Sequence, residues 1–227
     1  MTIPLAMLFG PGLAAALLAS YLLGAIPFGL VMAKTFKGID LRDVGSGNIG
    51  ATNAMRAMGK PLGLTAFLLD WGKGFVAAYS FARWGGAEDL LTVQVLCGAL
   101  AVIGHCFPVY LKFKGGKGVA TASGAIIAMD PTVFLAGGVV WLVSLYASRY
   151  VCIASILMGI TFPVAAYVRM GRPGLPFILG CAALATLILV RHRGNLKRLA
   201  AGTESKIGQG KLDLTNNTSK KGDLDRG

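Results

Sequence analysis

The chain has 227 residues, 55% of them hydrophobic and only 14% charged, and its mean hydropathy is +0.65. Soluble domains carry about 25% charged residues, so there is too little polar material here to coat a water-facing surface, and one membrane domain is the reading that fits. The net charge of +12 gathers in short clusters between apolar runs, with no aromatic-interleaved basic stripe; this argues against a nucleic-acid partner and for anionic headgroups or a phosphate-bearing ligand.

A helix needs about 20 apolar residues to cross a bilayer core. The first run, Leu13–Met32, has no basic leader or small-residue cleavage pattern before it and reads as a retained span. Six more follow: Leu62–Arg83, Leu90–Leu111, Val119–Met129, Thr132–Ala147, Val151–Val168 and Leu175–Val190. The fourth is short. The fold class is therefore all-α, a polytopic membrane protein of about seven spans. The stretches richest in Lys and Arg fall after spans one, three and seven, so they share one face. The excess of positive charge makes that face cytoplasmic, with the N-terminus out and the C-terminus in.

Between spans one and two lies Gly45-Ser46-Gly47-Asn48-Ile49-Gly50-Ala51-Thr52-Asn53-Ala54-Met55-Arg56. It matches G-x-G-x-x-G, yet apolar helical runs flank it instead of the βαβ unit a dinucleotide site requires. What survives is glycine's freedom to adopt positive φ and to let an anion approach backbone N–H groups. Ser46, Asn48, Thr52 and Asn53 add neutral hydrogen-bonding groups, and Arg56 adds a planar cation suited to phosphate. An ordinary glycine-rich connector is the competing reading. Asp70 and Lys73, inside the second span, sit three residues apart on one helix face and read as a structural ion pair.

After span three comes Gly104-His105-Cys106-Phe107-Pro108, then Lys112-Phe113-Lys114-Gly115-Gly116-Lys117-Gly118. Lys112 and Lys114 are adequately explained as membrane anchors. Gly115, Gly116 and Gly118 are not, since glycine adds nothing to headgroup attraction. They surround Lys117 just where a helix begins, and a helix N-terminus binds phosphate through free N–H groups and its dipole. After span seven comes Arg191-His192-Arg193-Gly194-Asn195-Leu196-Lys197-Arg198. Its cations suit the helix dipole, while His192 and Asn195 share a face at i and i+3. Ser155, in span six, says nothing by itself.

Several chemistries are not indicated. Neither His105 nor His192 is followed four residues on by Asp, and no G-x-S-x-G elbow occurs, so a covalent acyl-enzyme has no support. The four cysteines, Cys97, Cys106, Cys152 and Cys181, form no C-x-x-C pair and read as free buried thiols. No metal ligand set or cofactor motif is present. The segment 203–227 is rich in Gly, Asn, Ser and Lys and reads as a disordered cytoplasmic tail without chemistry, which leaves 1–202 as the membrane domain.

Together, GSGNIGATNAMR, the GHCFPVYLKFKGGKGVAT run and RHRGNLKRL resemble the bacterial membrane glycerol-3-phosphate acyltransferases that use acyl phosphate as donor, the PlsY type. The likeness runs from about Asp40 to Glu204. It implies seven spans in the bacterial cytoplasmic (inner) membrane, and acyl transfer to the 1-position of glycerol 3-phosphate with lysophosphatidic acid as product. It carries the family's site onto Ser46, Arg56, Lys117, Ser155 and Asn195, with His192 nearby. On this reading Arg56, Lys117 and Asn195 hold the substrate phosphate. The N–H groups around Gly115–Gly118 hold the acyl phosphate or the oxyanion, and Ser46 hydrogen-bonds substrate. His192, His105 or the substrate's own phosphate acts as base. Gly45, Gly47, Asn48, Thr52, Asn53 and Ser155 would line the substrate site. The expected partners are glycerol 3-phosphate, acyl phosphate and membrane lipids, with no cofactor or metal. A transporter for an anionic solute is the alternative from another class, and an acyl-CoA-dependent enzyme of similar shape is the nearer one.

Overall fold

The computed structural model describes residues 11–84 and 89–208. Among them every regular element is helical. The first helix, α1 (Pro11–Ala25), ends ahead of Pro27, which has no N–H to continue the ladder, and the chain resumes as α2 (Phe28–Lys37). A polar loop leads to α3 (Ala51–Met58) and then α4 (Lys60–Val76), which runs on through a π-helical turn (Ala77–Phe81) to Trp84. The rest comprises α5 (Leu90–Cys106), α6 (Val119–Met129), α7 (Pro131–Ser148), α8 (Val151–Met170), α9 (Leu175–Arg191) and α10 (Arg193–Ala200).

Four of these stretches are long and apolar enough to cross a bilayer: Pro11–Lys37, Leu90–Leu111, Pro131–Ser148 and Val151–Met170. A fifth is added if α9 and α10, bent by 50°, count as one. Two of the seven expected spans fall short. Helix α6 has 11 residues, which reaches only roughly 16 Å at 1.5 Å per residue. It stops at Asp130, whose carboxylate accepts from the N–H groups of Thr132 and Val133 and starts α7 as a separate helix. Helix α4 carries Asp70 and Lys73, 2.8 Å apart with side chains 2% and 1% exposed, and these lower its apolar character. Lys73 Nζ also donates to the carbonyl of Ile26, at the break before Pro27.

Small residues let the helices approach closely, which substitutes in lipid for a hydrophobic driving force. A Cβ at Gly74 would meet the Thr121 carbonyl, and one at Gly124 the Trp71 carbonyl, so α4 and α6 touch backbone to backbone. The main core lies between α5, α6, α7, α8 and α9, around Val102, Ile126, Phe162, Phe177 and Ile188. A second cluster, including Leu41, Ile49, Met58 and Ala66, seats the 38–58 region on α4, with Leu111 packed against it.

Composition assigns no structure to 203–227, yet residues 203–208 fold back onto the body. Thr203 N and Glu204 N both donate to the Arg198 carbonyl, and Ile207 N donates to that of Arg149. The Glu204 carboxylate adds contacts with Arg198 and Asn195 to these backbone bonds. Residues 209–227, and Glu88 between spans two and three, lie outside the described residues.

Candidate active site

The segment between α5 and α6 is shaped by tight packing. Gly115 N donates to the Cys106 carbonyl at 3.2 Å and Gly116 N to the His105 carbonyl at 3.0 Å. A Cβ at Gly116 would fall on the His105 ring, and one at Gly115 on the His105 carbonyl. Gly118 has φ +81°, and a Cβ there would lie 2.7 Å from Val102 Cγ1. Lys117 is thus carried on a loop pinned at either side by glycines that no larger residue replaces without movement.

This geometry corrects one expectation. The amides of Gly115 and Gly116 are committed to protein carbonyls, so they are not offered to an anion. The open N–H groups belong to the first turn of α6, Gly118 to Thr121, which have no acceptor one turn earlier in the helix. The carbonyls of Gly115 and Gly116 are committed too: Arg191 donates Nη2 to the first at 2.7 Å and Nε to the second at 2.9 Å. Arg191 also lies 5.2 Å from the Phe107 ring centroid. Its tie to the glycine loop goes well beyond balancing the dipole of its own helix.

The corner between α9 and α10 supplies the facing wall. Lys117 Nζ donates to Asn195 Oδ1 at 2.5 Å across 78 residues of sequence. Asn195 Nδ2 donates to Glu204 Oε1 at 2.7 Å, and Arg198 Nε donates to Glu204 Oε2 at 2.8 Å. Asn195 therefore has both ends of its amide engaged with protein partners. His192 is 2% exposed, and its Nδ1 lies 2.8 Å from the Ile188 carbonyl. A carbonyl only accepts, so Nδ1 carries the proton and Nε2 the lone pair. Burial, with Lys117 nearby, holds the ring neutral by lowering its pKa to about 4. Burial also lowers Lys117, to about 8; Glu204 and Cys152 oppose that fall, while Arg198 and Arg191 add to it.

The loop ahead of α3 is organised by one side chain. Asn53, 2% exposed, sends Nδ2 toward the carbonyls of Leu41, Val44 and Asn48, and its Oδ1 accepts from Ser46 N. Asn48 Oδ1 accepts from Gly50 N. Gly45 and Gly47 take φ of +57° and +66° and turn the chain around Asn53. Asn53 thus builds the loop with both ends of its amide spent on backbone groups, while Asn48 spends its Oδ1 there. Ser46 and Thr52 stand exposed on it. Arg56 is half-buried and its Nη2 donates to the Ser205 carbonyl at 3.4 Å, which brings α3 to the same strap that holds Glu204. Ser155 is buried in the second turn of α8, the helix whose first-turn Cys152 acts electrostatically on Lys117.

The structure thus joins the Lys117 loop, the Asn195 corner and, through 203–208, the Arg56 helix. Sequence reasoning misses the parts that Arg191 and Glu204 play. A lone acid six residues past Arg198, in a stretch otherwise of Gly, Thr, Ser and Lys, is the available signal for the second. His105 lies beneath Gly116, its Nδ1 3.6 Å from Asp70 Oδ1, and belongs to the buried Asp70–Lys73 cluster. Among the described residues no group of His, Cys, Asp and Glu is placed to hold a metal ion.

Fold and site together define a multi-pass, all-helical membrane protein in which chain segments far apart in sequence meet at a half-buried lysine, Lys117, and its partner Asn195. The family model described as glycerol-3-phosphate acyltransferase matches residues 14–202, and the chain belongs to that family. It is 45% identical over 192 residues to the glycerol-3-phosphate acyltransferase of Jannaschia sp. strain CCS1, covering 85% of this chain and 91% of that one. It is 43% identical over 190 residues to the enzyme of that name from Aquifex aeolicus, covering 83% and 95%. A crystal structure of PlsY (YgiH), an integral membrane glycerol 3-phosphate acyltransferase in its glycerol 3-phosphate form, superposes with a TM-score of 0.80 at 40% identity, covering 88% of this chain and 96% of that one. Its lysophosphatidic acid form gives 0.78 at 38% identity.

Proposed function

We propose that this chain transfers the acyl group of acyl phosphate to the 1-hydroxyl of glycerol 3-phosphate, releasing phosphate and lysophosphatidic acid. The site faces the cytoplasm at the bacterial inner membrane. The observation that carries the mechanism is the Lys117–Asn195 contact, which unites the two most distinctive polar segments of a chain in this family.

Acyl phosphate is a mixed anhydride with a good leaving group, so the protein has only to bring two anions together and stabilise the oxyanion. Lys117 and Arg56 hold the glycerol 3-phosphate phosphate. Arg56 has five N–H donors and spends one on Ser205. Asn195 serves by aiming Lys117. The N–H groups at the start of α6 hold the acyl phosphate head or the carbonyl oxygen, and exposed Ser46 hydrogen-bonds substrate. The 1-hydroxyl oxygen attacks the acyl carbon, the bond from that carbon to the bridging phosphate oxygen breaks, and phosphate leaves. A neutral His192, its pKa lowered to about 4, is a weak base, so a substrate phosphate, with its second pKa near 6, takes the hydroxyl proton. The acyl chain lies between helices, open to lipid.

The topology we propose has seven crossings, N-terminus out and C-terminus in. Helices α4 and α6, short or charged by themselves, complete the set because they pack on each other and on apolar neighbours. Purified protein assayed in parallel with acyl phosphate, acyl-CoA and acyl carrier protein tests this function. Lysophosphatidic acid should form with the first alone. Equal rates with acyl-CoA would overturn the assigned donor.

A further inference from the structure

We propose that Glu204 is a positioning residue which, through Asn195, fixes the direction in which Lys117 presents its ammonium group to substrate phosphate. This rests on the function proposed above and adds to it a residue that the site carried over by the resemblance does not include.

An ammonium group only donates and a carboxylate only accepts. Asn195 lies between the two, so its amide has a single satisfied orientation, with Oδ1 toward Lys117 and Nδ2 toward Glu204. The carboxylate is itself held. Its second oxygen accepts from Arg198, its side chain is 10% exposed, and its backbone N–H is tied to the Arg198 carbonyl. Arg56 and the Arg149 carbonyl anchor the next residues of the strap. A glutamine at 204 has a single acceptor oxygen, so it cannot serve Asn195 Nδ2 and Arg198 Nε through separate oxygens as the carboxylate does, and one link of the chain is broken.

The charged and titratable groups acting on Lys117 are Glu204 on the strap, Arg198 on α10, Arg191 at the end of α9 and Cys152 on α8; Lys117 in turn acts on His192 at the corner. Glu204 is the nearby carboxylate among them and favours the charged lysine. Neutralising it therefore moves the loss of activity at high pH to lower pH, an effect that a role in folding alone would not produce.

The test compares wild type, E204Q, E204D, N195D and the exchange N195D/E204Q, using acyl phosphate and glycerol 3-phosphate. E204Q should raise the KM for glycerol 3-phosphate about tenfold or more, the loss of one charge-assisted contact, with a smaller change in kcat. Its alkaline limb should shift to lower pH, and E204D should keep that limb where wild type has it. N195D alone sets two carboxylates against each other. The exchange restores a complete chain of donors and acceptors. The carboxylate newly placed at position 195 accepts from Lys117 on one side and from the amide nitrogen newly placed at position 204 on the other. The oxygen of that amide then accepts from Arg198. N195D/E204Q should therefore exceed N195D in kcat/KM by about tenfold. Should E204Q not fold, the comparison of N195D with the exchange in membranes, normalised to protein amount, decides. A wild-type KM and pH limb in E204Q, tighter glycerol 3-phosphate binding in E204Q (the mark of an internal competitor), or an exchange no better than N195D overturns the proposal. A wild type inactive with acyl phosphate would instead sink the function itself.

Discussion

The state of Lys117 should be readable in the pH dependence of kcat/KM for glycerol 3-phosphate, which reports the free enzyme. Burial lowers the lysine to about 8, against the pull of Glu204. With that midpoint, roughly nine in ten Lys117 side chains are charged at pH 7 and roughly one in ten at pH 9. Above 8, kcat/KM should thus fall toward tenfold per unit, while an acid limb near 6 follows the substrate's own phosphate. The sign for stability is opposite. The unfolded chain holds this proton up to the ordinary lysine range while the folded one releases it near 8, so stability rises with pH between those values. Initial rates of phosphate release from pH 5.5 to 10, corrected for spontaneous hydrolysis of acyl phosphate, check the first point. A profile flat to pH 10 would refute the idea that a half-buried lysine of lowered pKa binds the substrate.

Other outcomes follow from the same geometry. Lys73→Met strands the Asp70 carboxylate, 2% exposed, and should cost about 3–5 kcal/mol of stability; thermal unfolding in detergent should show much of it regained in D70N/K73M. Gly116→Ala drives a Cβ into the His105 ring, so it should cost about 1–3 kcal/mol and lower activity by shifting the loop that Arg191 grips. His192→Ala should lose no more than about tenfold in kcat, because a general base contributes about a hundredfold or more and the ring here is already neutral and weakly basic.

The all-helical membrane class was legible from composition because a chain with so few charged residues cannot wrap itself in polar surface. The number of crossings was less so. Hydropathy alone joined Leu62 to Arg83, but the ion pair of Asp70 and Lys73 makes that helix one that only a packed bundle accommodates. At the site, the glycines around Lys117 stood out because anchoring does not explain them, while the direct contact of Lys117 with Asn195 is legible only in the structure. What sequence did not reveal was which groups are spent on the protein itself. Gly115, Gly116 and Asn53 read as groups facing substrate, and their hydrogen bonds go to backbone carbonyls and amides instead. Arg191 looked like a dipole partner because its acceptors lie 75 and 76 residues away. Glu204 was hidden in a stretch whose composition argues for no structure at all.

Calorimetric titration of glycerol 3-phosphate into the protein without acyl donor tests the phosphate site most directly. Lys117→Met, folded as judged by its melting transition, should bind about ten- to a hundredfold more weakly than wild type, the loss of about 1.5–3 kcal/mol for a charge-assisted contact. An unchanged dissociation constant in that variant would contradict the account, since the lysine at which three distant segments meet would then have no part in holding the substrate.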